Sequence, residues 1–203
     1  MASFDQVPWD SVYRSNFQST AFSEALWIGK ALDLYQSARR LEPAIENVWN
    51  SYRARGENRS GPVEPDHYSG PYFMLISYAV ENLLKAAAVS RNTHTYREYF
   101  QSTGKFPDEL KSHDLMKLGK LLDLTITQEE ESLLRRLTRS AVWFGRYPAP
   151  LKYPGMSGVE QFNNGKEYQV SWLGREDVSK LRAFIDGLPD RLSLPVKYWK
   201  STG

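Results

Sequence analysis

Glu81 and Lys85 stand four residues apart in a stretch that is otherwise apolar, in the order that favours an ion pair along one helix. Two readings are open for them. One is a structural pair that keeps both charges compensated inside the protein. The other is a carboxylate that faces a polar cleft and orients a histidine or arginine from a second helix. His113, followed by Asp114, offers an imidazole that either caps backbone groups or acts as a general base near neutral pH. A third group lies further on. At roughly 100° per residue, Arg135, Arg139 and Arg146 fall within about 40° of one another on a helix, with Arg136 and Trp143 beside them. Such a stripe is either a solvated face, paired with Glu129, Glu130 and Glu131 one turn earlier, or a set of bidentate phosphate ligands next to an aromatic plane. RNA or a nucleotide is the ligand class that the second reading requires.

Other chemistries are excluded by residue type. With no cysteine there is no disulfide, thiolate metal site or cysteine nucleophile, and a reducing, cytoplasmic setting is expected. The three histidines, His67, His94 and His113, do not fall at metal-ligand spacing on a helix, so no metal and no cofactor is expected. There is no glycine-rich phosphate loop and no nucleophile elbow. A net charge of +2, from 26 basic and 24 acidic residues, is too small to argue for nucleic acid without local clustering. The longest apolar stretch, residues 72–89, is interrupted by Glu81, Asn82 and Lys85, so neither a membrane span nor an export signal is expected.

These side chains must be positioned by helices. At 203 residues, with 41% hydrophobic and 25% charged residues, the chain is expected to fold as one domain. Residues 1–19 lack clean periodicity and read as an N-terminal arm that packs Trp9, Tyr13 and Phe17 on the body. Apolar residues at helical spacing predict a first helix over residues 20–40, and a second with Ile45, Val48, Trp49 and Tyr52 on its inner stripe. The alanine-rich segment 71–90, apolar nearly all round, predicts the central helix. Residues 91–112 read as a connection, with room for one short helix near Tyr96 to Gln101. A short leucine-rich helix follows over 113–122, and Thr127 with three glutamates caps a helix whose core face is Leu133, Leu134, Leu137, Ala141 and Phe144. Beyond the prolines at 148, 150 and 154, the alternation near residues 159–173 leaves room for a short β-ribbon. A last helix is predicted over 175–188, within a single helical domain spanning 20–190, and residues 191–203 read as an irregular tail. The fold class is all-α.

Three segments carry a family resemblance: Ala79-Val80-Glu81-Asn82-Leu83-Leu84-Lys85-Ala86, then Ser112-His113-Asp114-Leu115 with Leu118, then Trp143-Phe144-Gly145-Arg146-Tyr147-Pro148. In order and in helical context they resemble signature segments of the HEPN superfamily, over a core of about residues 68–150. The resemblance implies a helical bundle, a homodimer, and a role in prokaryotic toxin–antitoxin, antiphage-defence or RNA-processing systems, with a cognate antitoxin or defence partner. Many members are metal-independent ribonucleases whose signature is an arginine followed, after four to six residues, by a histidine. Here no histidine follows an arginine at that spacing; Arg91 to His94 is shorter and Arg59 to His67 longer. The matching positions, Glu81, Lys85, His113, Asp114, Arg146 and Tyr147, imply His113 as base, Arg146 as phosphate stabiliser and Glu81 as orienting group; the arginine stripe adds Arg135, Arg139 and Trp143, beside Arg146, Tyr147 and Lys85, as RNA or nucleotide contacts. Three functions are therefore carried forward: an RNA- or nucleotide-binding protein, a ribonuclease with a variant site, and a structural or dimerisation module.

Overall fold

A computed structural model describes residues 9–58, 65–144, 159–162, 164–169, 173–195 and 199. Seven α-helices build an all-α bundle among them: α1 (Trp9–Ala21), α2 (Glu24–Arg39), α3 (Glu42–Asn58), α4 (Ser69–Thr103), α5 (Leu115–Leu121), α6 (Gln128–Arg139) and α7 (Arg175–Arg191). A two-stranded antiparallel ribbon, β1 (Val159–Gln161) and β2 (Glu167–Gln169), lies where the alternation leaves room for one.

The central helix is longer than its apolar run. α4 continues past residue 90 to Thr103, through a kink at Asn92 (φ −126°, ψ 19°), whereas the polar residues after 90 predict a connection. The polar side chains themselves carry the helix through: Asn92 Nδ2 donates to the Ala88 carbonyl and Thr93 Oγ1 to that of Val89, so the loosened ladder keeps its partners. Gly104, at φ 68°, then ends the helix in the left-handed region, its N–H donating to the Phe100 carbonyl. By length and composition α4 could cross a membrane, but 78% of its most apolar window is buried inside the bundle, as befits a core helix.

α2 packs along α4 more extensively than any other element. Its buried residues Ile28, Ala31, Tyr35 and Ala38 recur at helical spacing, and the two alanines let the helix axes approach closely. The chain turns before α2, at Phe22 and Ser23, where one continuous helix from residue 20 is predicted. The Ser23 hydroxyl accepts the Leu26 N–H and so starts a new helix. α6 begins as its sequence demands, with Thr127 and Glu130 exchanging reciprocal hydrogen bonds in a capping box, and it buries Leu133, Leu134 and Leu137.

From Trp9 the N-terminal arm is a helix, α1. α1 touches the body mainly through Phe17, which stacks on Phe100 at 4.7 Å and meets Phe22 and Phe106 edge-on, while Trp9 and Tyr13 stay exposed and stack on each other. One anchoring residue in thirteen leaves no apolar stripe for periodicity to reveal. The described residues of the C-terminal tail, 192–195 and 199, are packed on the body. Leu192, Leu194 and Trp199 are buried, and the Trp199 indole stacks on Tyr35 at 5.3 Å, 3° from parallel.

Two predictions follow from this packing. Trp199→Ala removes a buried indole from the α2 face and should cost about 3–5 kcal/mol in urea unfolding. The second concerns pH. Burial alone would raise the Glu130 carboxyl, but the Arg191 guanidinium at 2.6 Å and the Thr127 N–H outweigh it and hold it below the usual carboxylate range. A depressed folded-state value stabilises above the unfolded carboxyl pKa of about 4.3 and loses that contribution as pH falls through the folded value. The melting temperature of Glu130→Gln should therefore lie below that of the parent near neutrality and converge with it as pH falls to about 3.

Candidate functional site

Glu81 sits midway along α4 with 5% of its surface exposed, among neighbours that are almost wholly apolar. A carboxylate there must be answered. Lys85, one turn later and equally buried, places Nζ 2.6 Å from Oε1, and the same ammonium lies 5.8 Å from the centre of the Trp27 ring on α2. The second partner comes from the segment ahead of α5. His113 Nδ1 lies 3.1 Å and 3.0 Å from the two Glu81 oxygens, while 59% of the His113 side chain remains exposed.

The segment that carries His113 is fixed on both sides. Asp114 caps α5 by accepting the N–H groups of Met116 and Lys117, and its own N–H donates to the Ser112 hydroxyl. The Leu115 N–H donates to Thr138 Oγ1 on α6, which ties this turn to the next helix, and Leu115 itself is buried. The imidazole therefore has one nitrogen held by a buried carboxylate and the other across the ring from it. In the neutral ring that donates Nδ1–H to Glu81, the lone pair is on Nε2. A carboxylate on one ring nitrogen and a mostly exposed ring are what a general base can use.

Glu81, Lys85 and His113 thus meet, Lys85 along the same helix and His113 from the segment ahead of α5. The Lys85 ammonium meets Glu81 rather than solvent, so its position suits charge compensation better than a phosphate contact. Arg135 turns back to Glu131, with Nη2 2.7 Å from Oε1, and its guanidinium lies 5.0 Å from the Phe162 ring. Arg136 grips Asp177 through two bonds of 2.6 Å and 2.9 Å, and Asp177 also accepts the Gly174 N–H at the start of α7. Arg139 is half-buried and engaged. The stripe is less open than a solvated face would be.

A π-helical turn, Ser140–Phe144, follows α6, where a regular helix is predicted through residue 145. The Tyr78 hydroxyl on α4 donates to the Ala141 carbonyl in this turn. A π turn inserts extra backbone, so angles counted at about 100° per residue do not carry past it to Arg146. Arg146, Tyr147 and the side chains of Trp143 and Phe144 lie outside the described residues. Among the described residues no group of three histidine, aspartate or glutamate side chains could hold a metal ion.

A second constellation escaped sequence reasoning. Arg39, Arg40, Arg175 and Arg182 line a cleft beside Trp49. The local signal is the arginine pair ending α2 and two arginines two turns apart on α7, but nothing in the chain indicates that these helices adjoin. Comparison of the chain with protein-family models, characterised proteins and solved structures returned no match.

The buried pair yields a direct test. Lys85→Met leaves the Glu81 charge with the exposed imidazole alone and should cost about 3–5 kcal/mol in urea unfolding. The double variant Glu81→Leu/Lys85→Met removes both charges and should recover most of that loss. Equal loss in the single and double variants would mean that the pair is not the source of the effect.

Proposed function

We propose that this chain is a HEPN-like protein that binds RNA and cleaves it without a metal ion, using His113 as general base, Glu81 as its orienting group and Arg146 to stabilise the phosphate. The observation that carries this reading is the exposed His113 ring with both oxygens of buried Glu81 at 3.0–3.1 Å from Nδ1. In this reaction Nε2 takes the proton of a ribose 2′-hydroxyl, the 2′-oxygen attacks the adjacent phosphorus, the bond to the 5′-oxygen breaks and that oxygen takes a proton from water, and the imidazolium returns its proton to solvent. The products end in a 2′,3′-cyclic phosphate and a 5′-hydroxyl. Arg139, Trp143 and Tyr147 are proposed as RNA contacts alongside Arg146, with Arg135 steadying the face through Glu131. A cytoplasmic homodimer in a prokaryotic defence or toxin–antitoxin setting, with a cognate partner, belongs to the same reading and rests on the segment resemblance.

A second reading is favoured by the Lys85–Glu81 contact: a non-catalytic module in which the buried charges fix the packing of α4 against α2 and α5. The two separate in one assay. With a chelator present, and at a temperature where the variant is still folded, His113→Ala should lower the rate of single-stranded RNA cleavage by about 10²–10⁴-fold, and its lost contact to Glu81 should also lower the melting temperature. Products carrying a 2′,3′-cyclic phosphate fit the first reading. Undiminished cleavage by His113→Ala would remove it.

A further inference from the structure

A cleft of about 800 Å³ lies between the end of α2, the first turns of α3 and the start of α7, on residues outside the Glu81–His113 site. Buried Ile45 and half-buried Val178 form its apolar part, and the indole of Trp49 gives it a half-buried aromatic wall. Four guanidinium groups line it. Arg175 and Arg182, two helical turns apart, project from one face of α7, and Arg39 and Arg40 come from the last turn of α2 and its C-cap.

The charge is only partly answered. Arg182 pairs with Glu42 and Arg175 with Glu46, both carboxylates being on α3. Glu42 is committed further, since the Tyr72 hydroxyl donates to it at 3.3 Å. Arg39 and Arg40 are exposed and form no ion pair among the described residues; the Arg39 guanidinium lies 6.0 Å from the Tyr35 ring. An excess of two positive charges therefore faces a concave surface that also offers an aromatic plane.

The geometry points to a binding site for a nucleoside phosphate, with the phosphates on Arg39 and Arg40 and the base against Trp49. Each part of such a ligand finds its counterpart. The volume is that of small-molecule sites, which run from about 300 to about 1,000 Å³. Guanidinium forks bind phosphate oxygens in pairs, and an indole face stacks on any base. The Arg175–Glu46 pair, partly exposed, puts a carboxylate within the cleft for a ribose hydroxyl or an exocyclic amine. An acidic peptide would use the arginines and leave the indole without a role.

Calorimetric titration of the full chain with ADP, and separately with inorganic pyrophosphate, tests the site. ADP should bind with a dissociation constant on the order of 10–100 μM. Arg39→Ala/Arg40→Ala should weaken ADP and pyrophosphate alike by at least about tenfold, whereas Trp49→Leu should weaken ADP by about tenfold and leave pyrophosphate unchanged. Arg40→Glu, at an exposed position, should abolish both without lowering the melting temperature. His113→Ala should bind ADP as the parent does, so failure of the cleavage reading and failure of this one are distinguishable. Absence of ADP binding at millimolar concentration, or equal binding by the parent and the arginine variants, would overturn the assignment. So would displacement of ADP by a short single-stranded RNA at far lower concentration than any mononucleotide, which would make the cleft an RNA groove.

Discussion

The structure turns on one carboxylate that the core helix holds away from water. Glu81 is buried on α4 between residues that are almost all apolar, and an ionised group so placed is costly unless paired. Lys85 neutralises it from the same helix, which the i to i+4 spacing makes possible. That pair alone leaves one oxygen short of partners, and His113 supplies the remaining contact from outside the helix. The carboxylate therefore does more than survive burial: it draws the segment ahead of α5 onto α4. The capping of α5 by Asp114 and the Thr138 bond to Leu115 then hold His113 at a fixed distance from the core.

A second polar network joins the other end of α4 to its neighbours. The Tyr72 hydroxyl reaches Glu42 on α3, Glu42 pairs with Arg182 on α7, and the Tyr35 hydroxyl on α2 donates to Asp186 on α7 at 2.8 Å. Burial, reinforced by the neighbouring carboxylates, raises both phenols above their ordinary values, so they stay protonated and act as donors throughout the physiological range. Four helices, α2, α3, α4 and α7, meet through these groups. Together with the Arg136–Asp177 clasp between α6 and α7, this network supplements the apolar packing of the last helix, which buries Leu181, Phe184, Ile185 and Leu188 in the core.

Much of this was readable from residue type and spacing, for physical reasons that also mark the limits. The core helix, the capping box at Thr127 and the buried face of α6 follow from local periodicity and hydroxyl chemistry, which need no knowledge of the rest of the fold. Glu81 and His113 were legible as candidates, but their meeting joins residues 32 apart and depends on how α5 packs. The helix at Trp9–Ala21 was not legible because a single phenylalanine anchors it, nor was the extension of α4, because there the side chains of Asn92 and Thr93 replace propensity as the support of the backbone. The π turn had no signal in the apolar pattern. Its carbonyl at Ala141 is claimed by Tyr78, a tertiary contact that α4 imposes on α6.

The cleft reaches α4 through Glu42, which accepts the Tyr72 hydroxyl, whereas the Glu81–His113 site is built on that helix. Tyr72 and Glu81 are nine residues apart, which on a regular helix is about 13 Å along the axis. Between them Phe73, Ile76, Ala79 and Val80 are fully buried, and the helix keeps regular geometry; its kink, at Asn92, lies beyond Glu81. Coupling between sites requires an element with two discrete arrangements, and a straight, fully packed segment of this kind offers one. A ligand held by Arg39 and Arg40 would shift His113 only by moving the whole helix through a close-packed core, a displacement that two exposed guanidinium contacts cannot drive. Occupancy of the cleft would act on the bundle chiefly by stabilising the junction of α2, α3 and α7 that lines it.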